Sequence, residues 1–262
     1  MRPVITLLTD FGMADHYVAA MKGVILGIRP DVQLVDISHE IAPFAISEAA
    51  YTLAHAWSCF PHGTVHLVVV DPGVGSSRRP ILADVDGHFF VAPDNGVLTM
   101  VFDAVPGYEV REILADRYFR HPVSRTFHGR DIFAPVAAHV ATGEPALNFG
   151  PAIDDWIRLP FVTPIRSGPD TWQGQVLKID RFGNIITSFA SKNFGEIAGR
   201  SFELHVGRGV TCQYFANYAA SPDSGVFVIH GSTGYIEISA NQQSAANLLG
   251  VTPGAPVQLR YT

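Results

Sequence analysis

Residues 68–79 read Val68-Val69-Val70-Asp71-Pro72-Gly73-Val74-Gly75-Ser76-Ser77-Arg78-Arg79. The β-branched run that opens this stretch predicts a buried strand, and the Pro-Gly pair after Asp71 predicts the turn that ends it. In an open α/β sheet, ligands bind beyond the carboxyl ends of the strands. An acid and a guanidinium at that edge are more than packing requires, so this loop is predicted to carry chemistry.

Strand-like and helix-like segments alternate through the first part of the chain. The predicted strands cover residues 4–8, 32–36, 65–70 and 89–92, and the predicted helices cover about 15–28, 44–60 and 130–142. Strands separated by helices imply parallel pairing with right-handed crossovers. We therefore expect an α/β domain over residues 1–160, with a mostly parallel sheet flanked by helices.

The character of the sequence changes near residues 151–174, where prolines and glycines indicate a stiff connection. Short segments of alternating apolar and polar residues follow, at 175–179, 185–189, 201–206, 225–229, 235–238 and 257–261. They predict a smaller antiparallel, all-β domain, a barrel or a sandwich, over residues 175–262. Residues 161–174 are the predicted linker.

The composition excludes several classes of protein. With 262 residues, of which 47% are hydrophobic and 16% charged, the chain can bury a core and is not disordered. The formal net charge of -6 argues against a nucleic-acid partner, which needs clustered Lys and Arg. No segment has the length of a signal peptide or a membrane span, so we expect a cytoplasmic protein without a membrane partner. Cys59 and Cys212 have no metal or redox spacing and are expected to be reduced thiols.

Asp10 is the first candidate for chemistry, in the loop Thr9-Asp10-Phe11-Gly12 after the opening strand. Its carboxylate could accept hydrogen bonds from a ribose diol, as the acidic residue of dinucleotide-binding folds does. Capping of the following turn or helix explains an acid here equally well. Both interpretations stay open on the residues alone.

A second candidate group combines Asp71, Arg78 or Arg79, and His128. Together, an acid, a guanidinium and an imidazole could position and deprotonate a water, because imidazole accepts a proton near neutral pH. Each residue also has a structural explanation. Asp71 could stabilise its turn, Arg78 could pair with a surface carboxylate, and His128 beside Gly129 could cap a helix.

A third group lies in the predicted β domain, in residues 179–184, at Phe215 and in residues 230–235. Phe182 and Asn184 around a glycine turn suit stacking on, and hydrogen bonding to, a heteroaromatic ring, and Asp180 could hold an ammonium. A hairpin turn with an aromatic core residue is the simpler interpretation of these residues alone.

Taken together, these groups resemble the S-adenosyl-L-methionine (SAM) hydrolase family, the SAM hydroxide adenosyltransferases, which are relatives of fluorinase and chlorinase. The resemblance covers essentially the whole chain, through residues 9–12, 71–79, 92–96, 126–133, 179–184 and 232–246. It implies a homotrimer whose active sites lie between the N-terminal domain of one subunit and the C-terminal domain of its neighbour. It implies no cofactor and no metal, because SAM is itself the substrate.

The resemblance also implies a role for each matching position. The family's water-activating set falls on Asp71, Arg78 and His128, with Arg79 as an alternative guanidinium, and the base is either Asp71 or His128. The remaining positions bind the ribose, the methionine portion and the adenine of the substrate, and they are Asp10, Phe44, Asn95, Asp180, Phe182, Asn184, Phe215 and Ser232. Two positions depart from the halogenating relatives, which carry Trp at Phe44 and Arg at Thr233.

The carboxylate at residue 71 favours water over halide as the nucleophile. The sulfonium of SAM leaves as a neutral thioether, so catalysis should act on positioning and partly deprotonating a water behind C5′ of the ribose. Asp71 would repel a nearby halide by roughly 4 kcal/mol at an effective dielectric constant of about 20. The halogenating relatives have Tyr at this position and lack the His. We therefore expect hydrolysis of SAM to adenosine and L-methionine.

Three other functions stay open at this point. The first is a halogenase-like reaction of SAM, and the second is a non-catalytic adenosine or SAM sensor, which would need only Asp10, Phe182 and Asn184. The third is a metal-dependent phosphoesterase with oxygen and nitrogen ligands at Asp10, His16, Asp71, Asp94 and His128. A methyltransferase is disfavoured, because no glycine-rich fingerprint follows the first strand.

Overall fold

The computed structural model describes residues 2–160, 163–221 and 225–262. It divides into two compact units, Met1–Leu159 and Pro160–Thr262. Residues 161 and 162 of the predicted linker lie outside the described residues. From residue 165 onwards the predicted linker contains strand residues of the second unit.

Among the described residues, the first unit is built on a seven-stranded sheet with the spatial order β2-β1-β3-β5-β4-β6-β7. In chain order these strands are β1 (Val4–Thr9), β2 (Gln33–Ser38), β3 (Val65–Val69), β4 (Pro80–Val85), β5 (His88–Pro93), β6 (Tyr108–Glu112) and β7 (Ala152–Ile153). The pairs β1–β2, β1–β3 and β3–β5 are parallel, whereas β4–β5, β4–β6 and β6–β7 are antiparallel. The sheet is mixed, so the prediction of a mostly parallel sheet is wrong.

A tight hairpin causes this difference. Asp86 and Gly87 connect β4 to β5, and both have positive φ, 49° and 72°. A two-residue hairpin turn of type I′ requires that conformation at both central positions, and Asp-Gly is among its preferred sequences. Such a turn reverses the chain without a crossover helix, so β4 must run antiparallel to β5.

Helices cover both faces of this sheet. They are α1 (Tyr17–Ile28), α2 (Ile46–Ala54), the short α3 (Thr99–Phe102) and α4 (Ala134–Ala141). Alternate side chains of β3 enter two cores, because Leu67 and Val69 pack in the cluster that includes Met21 of α1, and Val68 packs in the cluster that includes Leu53 of α2. Burial on both faces explains why this strand is apolar throughout.

Two predicted helices are shorter than expected. The segment 44–60 forms α2 and then a 3₁₀ turn at Trp57–Cys59. The segment 130–142 forms a π-helical turn at Gly129–Phe133 followed by α4. Within the described ranges, none of the helices is long and apolar enough to cross a bilayer.

The second unit is an antiparallel, barrel-like β domain, which confirms the predicted all-β class. Its described strands are β8 (Ile165–Gly168), β9 (Thr171–Ile179), β10 (Ile185–Ala190), β11 (Phe202–Val206), β12 (Gly209–Thr211), β13 (Val226–His230), β14 (Tyr235–Ala240) and β15 (Pro256–Tyr261). The spatial order is β12-β11-β15-β9-β10-β14-β13, with β8 paired to β9. A short helix, α5 (Ala245–Leu249), follows β14. The long strand β9 pairs with β15 through its first half and with β10 through its second half, so it joins the two parts of the sheet.

Candidate active site

The loop after β3 folds Arg78 back onto Asp71. Arg78 Nε donates to Asp71 Oδ1 and Oδ2 at 3.0 and 2.9 Å, and Arg78 Nη2 also donates to Oδ2. Only 5% of the Asp71 side chain and 8% of the Arg78 side chain are exposed. Gly75, with φ 78°, allows the close approach of this loop to the segment before His128, because a Cβ there would lie 2.5 Å from the Arg125 carbonyl oxygen.

His128 contacts the same guanidinium. Arg78 Nη2 donates to His128 Nδ1 at 2.8 Å. A guanidinium can only donate, so Nδ1 must be unprotonated, and the neutral ring carries its proton on Nε2. Burial lowers the pKa of His128, and the positive charge of Arg78 lowers it further. Both effects favour the neutral imidazole.

Asp131 fixes the backbone that presents His128. Its fully buried carboxylate accepts hydrogen bonds from Ser124 N at 2.8 Å, from Arg130 Nε at 2.7 Å and from Arg120 Nη1 at 3.1 Å. Burial alone would raise the pKa of Asp131, but these hydrogen bonds hold it below its usual value. The ionised carboxylate therefore ties the start of the π-helical turn to the segment before it.

Arg79 points to a different set of acids. Its Nε and Nη2 donate to Asp94 Oδ2 at 3.0 and 2.7 Å, and its Nη1 donates to Asp155 Oδ1 at 2.7 Å. These bonds join the loop after β5 to the end of the first unit. Of the two adjacent arginines, Arg78 is therefore the one that contacts Asp71 and His128.

Asp10 lies at the same edge of the sheet as Asp71. The two residues follow β1 and β3, which are parallel neighbours with Thr9 paired to Val69. Asp10 Oδ2 accepts a hydrogen bond from Phe44 N at 2.9 Å. Burial raises the pKa of Asp10, the Phe44 hydrogen bond opposes that rise, and the charge of Asp71 adds to it.

Both polar atoms of the Asn95 side-chain amide form hydrogen bonds within the protein. Its Nδ2 donates to the Val70 carbonyl at 2.9 Å, and its Oδ1 accepts from Val97 N at 3.2 Å. The structure therefore gives Asn95 a positioning role, because it ties the turn after β5 to the residue that precedes Asp71.

Three of the five side chains of the alternative metal site, those of Asp71, Asp94 and His128, are already held by Arg78 and Arg79. Arg78 occupies the facing atoms of Asp71 and His128, and Arg79 binds Asp94. In the described part of the chain, no group of three or more His, Cys, Asp and Glu residues is placed to hold a metal ion. The donor set does not fit a metal-dependent phosphoesterase.

In the second unit, a tight turn after β9 is organised by Asp180. Its Oδ1 accepts from Phe182 N at 2.8 Å and from Asn184 N at 2.9 Å, and its Oδ2 accepts from Asn184 Nδ2 at 2.8 Å. Gly183, with φ 87°, packs so closely on Ser244 that a Cβ would overlap the Ser244 hydroxyl. This turn leaves the Phe182 ring 79% exposed.

A cavity of about 910 Å³ in the second unit collects most of the residues predicted there. Asp180, Phe182, Asn184 and Ser232 all line it. Phe215 does not, because it packs against Phe227 with the ring centroids 5.7 Å apart, although the next residue, Ala216, is part of the wall.

Sequence reasoning missed Glu237 and Tyr218, which also line this cavity. Burial raises the pKa of Glu237, and the nearby charge of Asp180 raises it further. The signal was present in the sequence, because Glu237 is an acid inside the otherwise uncharged strand β14. A buried acid in a strand interior calls for a specific partner.

Comparison with known families gives two matches along the chain. A family model described as the SAM hydroxide adenosyltransferase N-terminal domain matches residues 5–150. A second model, described as the SAM hydroxide adenosyltransferase C-terminal domain, matches residues 174–258. The two matches fall in the two structural units.

Individual relatives match over nearly their whole length. The (R)-S-adenosyl-L-methionine hydrolase of Salinispora tropica is 39% identical, with 96% of this chain and 95% of the relative covered. The Thermus thermophilus protein of the same name is 35% identical, with 99% and 100% covered. A fluorinase of Nocardia brasiliensis is 25% identical, with 99% and 97% covered. A crystal structure of an uncharacterized conserved protein from Thermotoga maritima has a TM-score of 0.83 at 36% identity, with 98% and 99% covered.

Proposed function

The chain belongs to the SAM hydroxide adenosyltransferase family, and from that premise we propose that it is an enzyme that hydrolyses SAM to adenosine and L-methionine. The observation that carries the proposal is the contact of Arg78 with both Asp71 and His128 at the carboxyl end of β3. The three side chains form a small polar site that can orient a water molecule, at the sheet edge where α/β proteins bind ligands.

The reaction is a displacement at C5′ of the ribose. The water oxygen forms a bond to C5′ while the C5′–S bond breaks, and the electron pair of that bond neutralises the sulfonium to give the thioether of methionine. As the new C–O bond forms, the attacking water becomes strongly acidic and must lose a proton. We expect no cofactor, because the positive sulfur already supplies a good leaving group.

The hydrogen bonds assign different roles to Asp71 and His128. Arg78 engages the acceptor nitrogen of His128, so Nε2–H is the group of this ring that can donate to the water, in place of the Ser124 backbone to which the imidazole hydrogen-bonds in this structure. A carboxylate has about four acceptor positions, so Asp71 can accept the water proton while it stays bonded to Arg78. We therefore assign Asp71 as the proton acceptor and His128 as the group that orients the water.

The substrate-binding residues fall into two sets. We propose that Asp10, in the first unit, accepts hydrogen bonds from the ribose diol. In the second unit, we propose that Phe182 and Asn184 contact the adenine and that Asp180 and Ser232 contact the methionine portion, all four within one cavity. Phe215 packs against Phe227 and does not line this cavity, so its contact with the adenine stays a prediction from the sequence. The size of that cavity, about 910 Å³, is in the range of small-molecule sites and supports ligand binding there.

We propose that the enzyme is a homotrimer in which the first unit of one subunit and the second unit of its neighbour form each site. Phe44 in the first unit and Phe182 in the second are 70% and 79% exposed. Large aromatic side chains exposed beside two candidate half-sites are expected where a ligand or another subunit covers them. A cytoplasmic location stays a prediction.

Product analysis in water enriched in ¹⁸O tests the reaction. We expect L-methionine, and adenosine that carries one ¹⁸O in its 5′-hydroxyl group, because the attacking oxygen comes from solvent. Release of S-adenosylhomocysteine or a 5′-haloadenosine would overturn the proposal, and so would unlabelled adenosine. The same assay after treatment with a chelator should give the same products.

A further inference from the structure

Glu237 is held rigidly at the wall of the second-unit cavity. It lies in β14, with Ile186 of β10 paired to it on one side and Ile229 of β13 on the other. Pairing on both sides fixes its backbone, and the residue is 7% exposed. Its carboxyl group is therefore presented to the cavity by a strand that is paired on both sides.

The fold makes room for this carboxyl group at Gly231. A Cβ on Gly231 would overlap Glu237 Oε1, so the carboxyl group rests directly on the glycine backbone. Gly231 is not among the residues with positive φ, so its backbone conformation does not call for glycine. The close approach of Glu237 is what requires a residue without a side chain here.

Among the described residues of the cavity wall, the charge of Glu237 has no permanently cationic partner, and His230 is the one histidine there. Among the described lining residues there is no lysine or arginine. The Tyr218 hydroxyl donates a hydrogen bond to Glu237, and the other acid of the wall, Asp180, already accepts three hydrogen bonds within its own turn. A buried carboxylate beside a second acid is costly unless a cation neutralises it, so the cavity is suited to a positively charged ligand group.

We propose that Glu237 binds the α-ammonium group of the methionine portion of SAM and so selects substrates that carry this charge. This inference rests on the proposed function, and it names the residue that recognises one end of the substrate. An ammonium group has three N–H donors, which can reach Glu237 and the neighbouring polar groups of the cavity. Glu237 is a specificity residue, because the ammonium is separated from the sulfonium by three carbon atoms and takes no part in the displacement.

Loss of this contact should weaken ground-state and transition-state binding equally. Such uniform binding appears in KM and leaves kcat nearly unchanged. We expect Glu237→Gln to raise KM for SAM about 10- to 100-fold, the range for a hydrogen bond to a charged group, with kcat within about 3-fold. The analogue of SAM in which hydrogen replaces the α-amino group should have the same KM for both enzymes.

The control is Glu196→Gln, which removes the same charge from the same unit at a side chain that is 71% exposed. Glu196→Gln should leave KM unchanged both for SAM and for the analogue without the amine. A second variant, Gly231→Ala, keeps the charge but pushes the carboxyl group out of its place, and it should raise KM for SAM as Glu237→Gln does. Thermal melting of each variant identifies a loss of folding.

Two outcomes would overturn the assignment of Glu237. One is an unchanged KM for SAM in Glu237→Gln, and the other is an equal rise in KM for SAM and for the analogue without the amine. If the wild-type enzyme does not cleave SAM, the proposed function fails separately, and calorimetric binding of L-methionine then decides the role of Glu237. Binding by the wild type that Glu237→Gln loses supports the role, whereas equal binding, or none by the wild type, contradicts it.

Discussion

Arg78 Nη2 donates a hydrogen bond to His128 Nδ1 at 2.8 Å, and this bond determines which imidazole nitrogen can face a substrate. Since Nδ1 is occupied, the ring presents Nε2–H, a donor. A His that donates holds a water by its lone pair and does not remove its proton. In the mechanism proposed above, the proton goes to Asp71, which Arg78 Nη2 contacts as well.

The assigned donor role predicts a graded effect of substitutions at His128. A glutamine side chain can place its Nε2–H₂ near the position of the imidazole Nε2–H, whereas alanine provides no donor. We expect His128→Ala to lower kcat at least ~10²-fold and His128→Gln to keep clearly more activity, as measured by initial rates of adenosine release. Equal losses in the two variants would contradict the donor role.

The proton-acceptor role predicts a large loss on removing the charge of Asp71. Asp71→Asn keeps the size of the side chain but removes the carboxylate that accepts the proton, so kcat should fall at least ~10²-fold. Binding of adenosine, measured by calorimetry, should change little, because the residues proposed to hold the nucleoside are others. A variant with near-normal kcat would show that another group takes the proton.

The two adjacent arginines predict opposite phenotypes. In Arg78→Lys, a single ammonium group replaces the planar guanidinium that bonds both Asp71 and His128. One ammonium cannot hold both partners, so kcat should fall about 10²-fold. Arg79→Lys is the matched control, because Arg79 joins Asp94 and Asp155. It should lower the melting temperature by a few degrees and leave kcat nearly unchanged. A larger loss of kcat in Arg79→Lys than in Arg78→Lys would reverse the assignment.

The parallel half of the first sheet could be predicted from sequence, because β1 and β3 are rich in apolar residues and helical segments separate the first three strands of the chain. The antiparallel half could not be found by the same rule. Asp84 interrupts the apolar pattern of β4, and the hairpin signal lies outside the strand, in the Asp86-Gly87 pair that follows it. That turn sets the direction of β4, and β4 in turn sets the direction of β6.

The sequence nominates residues for the candidate site, but it does not give their contacts. Arg78 and Arg79 are adjacent in the chain, and only the positions of Asp94 and Asp155 show which of them turns away from Asp71. Glu237 was missed for a similar reason. Its place in the cavity depends on strand pairing and on Gly231, neither of which a local pattern reveals.

Asp10 offers a test of ribose recognition. Its carboxylate accepts a hydrogen bond from Phe44 N, and it would have further acceptor positions for a diol. Asp10→Asn should raise KM for SAM by about 10-fold or more, because the amide nitrogen cannot accept from a hydroxyl group. For the 2′-deoxyribose analogue of SAM, the ratio of the KM of Asp10→Asn to the KM of the wild type should be smaller than it is for SAM. An equal KM ratio for SAM and for the analogue would mean that Asp10 only holds the loop at Phe44.

Two buried histidines predict how the stability of the first unit depends on pH. His66 and His88 are 0% and 3% exposed, and their rings are linked by a hydrogen bond of 3.2 Å between Nε2 and Nδ1. Burial lowers the pKa of His66 to about 3, and the neighbouring His88 contributes to that shift. Burial also lowers the pKa of His88 itself.

Because the folded-state pKa of His66 lies below the unfolded value of 6.5, the unfolded chain binds more protons between these two values. The free energy of unfolding should be unaffected by His66 above pH 6.5 and should fall as the pH decreases from 6.5 towards 3. The slope from this residue alone approaches about 1.4 kcal/mol for each pH unit. Urea unfolding between pH 7 and pH 4 measures it. His66→Gln should flatten the dependence, and the exposed control His121→Gln should not; an unchanged slope in His66→Gln would show that other groups cause the acid sensitivity.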